Sequence, residues 1–390
     1  MSGSPKRALL VVGIILLLGV IISLGFIRII HQINPTPLAN QAGRASASPT
    51  RPPSTPIPSP TPTQAALSIQ GTQIMDVHGN AVTLIGASRP SLEYSCSGDG
   101  HFQLADFQAM RSWGMNAVRI PLSSEFWANG GNACPNYHLT VTAAVANAEA
   151  AGLYVILTLQ WNAPLQLSDD PTIGGGQYPM PDAGQDVTFW QDLATIYHSD
   201  PAVLFDLLGE PHDISWNTWL NGGQITTQVL HGNHYASGQG TYQAIGMADL
   251  VAKVRAIAPD NIIIVSGMNW GYDLADVSQG YSIQAKNILY STHPFDYSGK
   301  EPGNWPQDFG NLSQQVAVIA AEFGAYNCQT GYISAAISYF NQHHISWLAW
   351  AWNVSQCSDP SLLADWSGRP NTPYGEYIRQ QMLAVHPGGA

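Results

Sequence analysis

The chain has 390 residues, 45% hydrophobic and 10% charged, which is enough apolar material for one large core or two ordinary ones. Five of its 14 basic residues (Lys6, Arg7, Arg28, Arg44 and Arg51) and none of its 26 acidic ones precede position 65, so the remainder carries a formal charge of −17. That acidity argues against nucleic acid and anionic membrane surfaces as partners of the folded part. Twelve Trp and sixteen Tyr suit a neutral, ring-shaped ligand instead, because flat aromatic faces stack on sugars without needing charge.

Residues 8–27 are free of charge over twenty positions. At about 1.5 Å per helical residue such a run spans the roughly 30 Å hydrocarbon layer. Lys6 and Arg7 precede it, so the positive-inside rule places residues 1–7 in the cytoplasm, an anchor over 8–30, and all that follows outside the cell membrane. The competing reading is a cleaved signal peptide and a secreted protein, with Ala45-Ser46-Ala47 as a late cleavage site. Residues 31–64 are rich in Pro, Ser, Thr and Ala and read as an extended linker without enough apolar surface to order itself.

A folded domain over 65–390 follows. Leu67 to Gly86 holds two β-prone runs around His78-Gly79-Asn80, a turn signal, and reads as a hairpin that plugs the bottom of a barrel and leads into a first strand over 82–87. Further strands are expected over 115–120, 153–159, 202–208, 261–266, 287–292, 316–321 and 345–351. Helices are expected over 102–113, 140–151, 185–198, 240–258, 331–343 and 374–385. Glycines close the helices and polar groups end the strands, the pattern of repeated βα units. Eight strands make a (β/α)8 barrel of TIM type the economical fold. An open doubly wound sheet is the alternative, and no Gly-x-Gly-x-x-Gly turn supports a dinucleotide site. The segment 213–240, rich in Gly, Asn, Gln and Trp, is expected to shape the cleft, with His231 and His234 in a loop.

In such a barrel the chemistry sits at the C-terminal rim. In chain order that rim reads Arg119, Gln160-Trp161-Asn162, Glu210, Trp270, His293, Glu322 and Trp352. Two carboxylates framed by an Arg, a His and several Trp suit glycosidic bond cleavage, in which one carboxyl protonates the leaving oxygen and the other attacks or stabilises the anomeric carbon.

Over about 65–388 the chain resembles glycoside hydrolase family 5, the cellulase-type retaining glycosidases. The resemblance rests on Leu84-Ile-Gly86, Asn116-Ala-Val-Arg119-Ile-Pro121, Glu210-Pro211-His212, Asn269-Trp270, His293-Pro294, Ala321-Glu322-Phe323-Gly324 and Trp350-Ala-Trp352. It implies that Glu210 is the acid/base and Glu322 the nucleophile of a double displacement on a β-linked polysaccharide, such as a β-glucan or β-mannan, without metal or organic cofactor. Arg119 would hold Glu322 ionised, unless it is a structural partner of Asp206. His293 would bond the acid or the sugar, Trp352 would floor the −1 subsite, and Trp270 and Trp161 would be outer stacking platforms. Trp127, Trp216, Trp219 and Trp305 compete for that last role. A non-catalytic carbohydrate-binding protein on the same barrel is the alternative, and a monomer is expected.

Three positions depart from the family pattern. Gly209 stands where an Asn normally binds the sugar 2-hydroxyl, and Gln160 stands where a His usually ends the third strand. Phe295 replaces a Tyr that bonds the nucleophile, with Tyr297 two residues on. Asn162 or Asn269 is a candidate for the missing amide. The four cysteines fall in loops after strands one, two, seven and eight, which are neighbours in a closed barrel. Cys96–Cys134 and Cys328–Cys357 are the expected disulfides.

Overall fold

The computed structural model describes residues 64–386 except 129–132, 165–166, 168–171, 233 and 357–358. The expected anchor over 8–30 and the linker up to residue 63 lie outside the described residues. Among those described, no helix is long and apolar enough to cross a membrane.

The chain opens with an antiparallel hairpin, β1 (Leu67–Gln70) and β2 (Gln73–Asp76). Then come β3 (Ile85–Ser88), β4 (Ala117–Ser123), β5 (Tyr154–Trp161) and β6 (Val203–Asp206). A second hairpin, β7 (Gly222–His231) and β8 (His234–Ile245), precedes β9 (Ile263–Ser266), β10 (Ile288–Thr292), β11 (Val318–Ala320) and β12 (Ser346–Ala349). Eight of these, β3 to β6 and β9 to β12, pair in parallel and close into a barrel, with β12 beside β3. An open doubly wound sheet is thereby ruled out.

The eight strands are buried along their whole length because the barrel covers one face and the helices the other, which is why they read as continuous apolar runs rather than alternating ones. Two apolar layers result. The inner one joins Ile156, Leu204, Ile264, Leu289, Ile319 and Leu348 to Leu67 and Ile74 of the first hairpin, which closes the barrel floor as expected. The outer one packs the other strand faces against the helices Leu104–Ser112, Tyr137–Ala150, Gln185–Tyr197, Met247–Arg255, Thr330–Gln342 and Tyr374–Val385. Gly86 on β3 admits no side chain, since a Cβ there would lie 1.8 Å from the Ala117 carbonyl oxygen of β4.

One element differs from expectation. The helix expected over 240–258 begins only at Met247, and residues 234–245 are a strand. Its partner β7 carries Ile225-Thr-Thr-Gln-Val-Leu230, β-branched residues that pack better on a pleated surface than on a helix. Gly232-Asn233 between the two runs is the turn signal that marks such a hairpin.

Cys96 and Cys134 form a disulfide with their Cα atoms 5.4 Å apart, joining the loops after β3 and β4. Cys328 is also disulfide-bonded, and Cys357, its expected partner, lies outside the described residues.

Candidate active site

Side chains at every second position of a strand share a face. Following the inner apolar layer upwards by twos, Ala117 leads to Arg119, Ile156 to Thr158 and Gln160, Leu204 to Asp206, Ile264 to Ser266, and Leu289 to Ser291 and His293. The lining thus changes from hydrocarbon at the floor to polar groups at the C-terminal rim. Glu210 lies four residues past the end of β6, and Glu322 lies two past the end of β11.

Arg119 is fully buried and organises the rim. Its Nε donates to Asp206 Oδ2 at 3.0 Å, its Nη1 to Glu322 Oε1, and its Nη2 to Gln160 Oε1 at 3.0 Å. One guanidinium thus reaches both Asp206 and Glu322, so the two roles expected of Arg119 do not exclude each other. Asp206 also accepts from Thr158 Oγ1 at 2.9 Å. Glu210 is held differently: Gln160 Nε2 at 3.3 Å and Gln177 Nε2 both donate to its Oε2. His293 Nδ1 lies 3.4 Å from Glu210 Oε1 and 4.0 Å from Glu322 Oε2. One carboxylate oxygen of Glu210, one of Glu322 and a His293 nitrogen lie within 4.8 Å of one another.

That trio is the one converging set of three potential metal-ligating side chains among the described residues. Arg119 donates to Glu322 Oε1, and Gln160 and Gln177 donate to Glu210 Oε2, while Glu210 Oε1 and Glu322 Oε2 face His293. A cation between them would sit close to the Arg119 charge.

Burial pushes the Glu322 carboxyl above its ordinary range, against the pull of Arg119 and His293 and with the charge of Glu210 adding to the rise. Burial acts upwards on Glu210 too, but the hydrogen bond and charge of His293, then Lys300 and Arg119, draw it below its ordinary range. Carboxyls this close titrate as one unit. Arg119 touches Glu322 and not Glu210, and its charge favours the ionised form of Glu322.

Gly209 explains two of the departures together. A Cβ at 209 would lie 2.3 Å from Gln160 Oε1 and 2.6 Å from Arg119 Nη2. The Gln160 carboxamide fills the space that a longer residue at 209 would need. Asn162 is not the missing amide: it is fully buried, donating to Met180 O at 2.9 Å and accepting from Tyr178 N at 3.0 Å. Asn269 has an exposed, left-handed backbone, and its carbonyl accepts from Lys300 Nζ at 3.2 Å.

The aromatic residues sort by exposure. Trp352, expected at the −1 floor, is 1% exposed and packs edge-on against Trp113 at 4.8 Å, so it belongs to the core. Trp350, two residues past the inward Leu348, keeps exposed surface and is held through Nε1 by Asp359 Oδ1 at 3.1 Å. Trp161 is 8% exposed and lies beside Tyr94 at 6.0 Å, which leaves little face for a platform. Trp270 is 37% exposed and stacks one face on His212 at 3.7 Å, leaving the other open. Trp127, Trp219 and Trp305 are core residues, and Trp216 packs against Trp219. Tyr297 is exposed and pairs with Tyr326 at 5.1 Å. Burial raises the Tyr326 hydroxyl pKa, and Tyr297 and the charges of Glu210 and Glu322 raise it further. Gln177, Lys300, Tyr326 and Trp350 were not picked out from the sequence. Only Trp350 carried a usable signal, its in-phase position after Leu348.

A parallel eight-stranded barrel with two carboxyls converging at its C-terminal rim defines the glycoside-hydrolase type of TIM barrel. The family model Cellulase (glycosyl hydrolase family 5) matches residues 75–356, so the chain belongs to that family of retaining glycoside hydrolases. Endoglucanase N of Pectobacterium atrosepticum is 25% identical over 83% of the chain and 67% of its own length. For endoglucanase 5 of Pectobacterium carotovorum subsp. carotovorum the values are 25%, 83% and 59%. A mannan endo-1,4-beta-mannosidase of Salipaludibacillus agaradhaerens is 26% identical over 37% of the chain and 50% of its own length. Among solved structures, a beta-glucanase of Saccharophagus degradans superposes with a TM-score of 0.66 at 20% identity, covering 86% of this chain and 98% of that one. That likeness establishes the barrel fold.

Proposed function

We propose that this chain is an endo-acting β-glycosidase that cleaves a β-linked glucan by double displacement, with Glu322 as nucleophile and Glu210 as acid/base. The observation that carries the reading is the approach of the two carboxylates to within 4.8 Å, each from its own strand end. A retaining pair stands about 5–5.5 Å apart, whereas an inverting pair needs about 6.5–9.5 Å to admit a water. In the first step a Glu322 oxygen bonds to the anomeric carbon while Glu210 gives its proton to the departing glycosidic oxygen. In the second, the oxygen of a water bonds the anomeric carbon as the bond to Glu322 breaks, and the water's proton passes to Glu210. Arg119 keeps Glu322 anionic and aimed, and the open face of Trp270 stacks a sugar ring. The relatives named endoglucanases, and the solved complex of the Saccharophagus degradans enzyme with cellotetraose, support glucan as the substrate class.

Location outside the cell belongs to the same proposal. The uncharged run 8–27 behind Lys6 and Arg7, and the oxidised Cys96–Cys134 pair, support a membrane-anchored protein with its barrel exported. The deciding experiment incubates the protein with β-linked glucans and mannans and measures new reducing ends. Release from a glucan that is lost in Glu322→Ala supports the proposal. Binding without release overturns it in favour of a carbohydrate-binding protein, and release confined to mannan overturns the substrate.

A further inference from the structure

Gln177 comes from neither a barrel strand nor a strand end, yet its amide reaches the same oxygen of Glu210 that Gln160 reaches. It lies in the segment 172–183, between β5 and the helix Gln185–Tyr197. The second hairpin braces that segment along its length. Tyr178 Oη accepts from Leu230 N at 2.9 Å, Tyr242 Oη donates to Met180 O at 2.9 Å, and Met180 N donates back to Tyr242 Oη at 3.1 Å. Backbone bonds run from Ile245 N to Pro181 O at 3.0 Å and from Ala183 N to Gln243 O at 2.9 Å. Asn162 ties the segment to the end of β5 through Tyr178 N and Met180 O. Tyr178 and Tyr242 are buried, so the brace is packed as well as bonded.

From this we infer that Gln177, held by the β7–β8 hairpin, is a positioning residue that works with Gln160 to reserve Glu210 Oε2 as a hydrogen-bond acceptor, so that Oε1 is the oxygen that delivers the proton. An oxygen accepting two N–H donors is a poor seat for a proton, because a protonated carboxyl oxygen would oppose both. The proton therefore resides on Oε1, beside His293 Nδ1. During bond cleavage the Oε1–H bond breaks, the proton passes to the glycosidic oxygen, and that oxygen keeps the electron pair of the broken C–O bond while a Glu322 oxygen bonds the carbon. Two amides bonded to the resulting carboxylate stabilise the deprotonated form and make Glu210 the stronger acid.

The inference rests on Glu210 being the acid/base, and the test separates the two. Gln177→Met keeps the length of the side chain and removes the donor. It is compared with wild type, Tyr242→Phe and Glu210→Ala on cello-oligosaccharides, which need protonation of the leaving group, and on 2,4-dinitrophenyl β-cellobioside, which does not. In Gln177→Met the alkaline limb of kcat/KM should move up by about one pH unit, since lost donors destabilise the carboxylate. Its kcat/KM on oligosaccharides should fall about tenfold while that on the dinitrophenyl substrate stays within about twofold. Tyr242→Phe should shift the limb in the same direction by less. An unmoved alkaline limb, or an equal fall on both substrates, overturns the positioning role. Glu210→Ala should lose oligosaccharide turnover and regain dinitrophenyl turnover with azide. If it loses neither, the acid/base assignment falls with the inference. If it behaves as expected and Gln177→Met does not, only the inference falls.

Discussion

Glu322 and Glu210 share one sugar-sized space, but they are held by different kinds of structure. Glu322 is fixed by a cation on a strand: Arg119 of β4, itself tied to Asp206 of β6, with all three essentially removed from solvent. Glu210, with its side chain 15% exposed, is fixed by two neutral amides and an imidazole, one amide coming from a loop propped by an inserted hairpin. A strand-borne ion pair sets a charge, and a pair of amides, one from a strand and one from a loop, tunes a proton. The first is part of the barrel's own construction, so disturbing it should unsettle the fold, whereas disturbing the second should show mainly in the pH profile.

The largest effect expected from that contrast is on the cation. Arg119→Met leaves Asp206 and Glu322 buried without their partner, which should cost about 3–5 kcal/mol of folding stability as well as most of the activity. Denaturant unfolding with parallel kinetics checks this; a variant that keeps its stability would show that the Glu322 side is not structural and would break the contrast.

A smaller effect is expected where the two sides touch. Gly209→Asn forces Gln160 and Arg119 from their places, at a cost of about 1–3 kcal/mol for overpacking. The double variant Gly209→Asn with Gln160→Ala vacates the space and should recover part of that loss in thermal melts. No recovery would mean that the Gln160 carboxamide is not what fills the position.

The smallest effect lies away from the cleft and separates structural carboxyls from catalytic ones. Burial, then a hydrogen bond and charge from Asp200, push the Glu149 carboxyl up to about 8. The folded state then holds a proton that the unfolded chain releases above about 4.5. Stability from this group is complete below about pH 4.5 and is lost as pH rises through about 8. Glu149→Gln should therefore melt close to wild type at pH 4.5 and about 2 °C higher at pH 9, with the pH profile of activity unmoved. An equal melting shift at both pH values would refute the raised Glu149 carboxyl.

The sequence showed the Glu322 side more fully than the Glu210 side. Arg119, Glu210, His293 and Glu322 were legible because a parallel strand, once its apolar run is seen, dictates where its end must point. The eight barrel strands were legible for the same reason. Gln177 was not, because it reaches Glu210, 33 residues on, while its segment is held through Tyr178 by Leu230, 52 residues on, and through Met180 by Tyr242, 62 residues on, none of which leaves a periodic trace. The hairpin was hidden by an apolar stretch, Tyr242 to Ala258, that suits helix and strand alike until the Gly232-Asn233 turn is given its weight. Trp352 was misplaced because its motif names two tryptophans, and only burial reveals that Trp113 claims the second.

The vacancy at position 209 has an evolutionary reading. With Gln160 in place, a return to asparagine passes through a form in which two side chains compete for one volume, so the shortest mutational path back is a disfavoured one. Homologues of this chain should therefore exchange residues 160 and 209 as a pair, and a lineage that changes only one of them would have relaxed the backbone after β6 first.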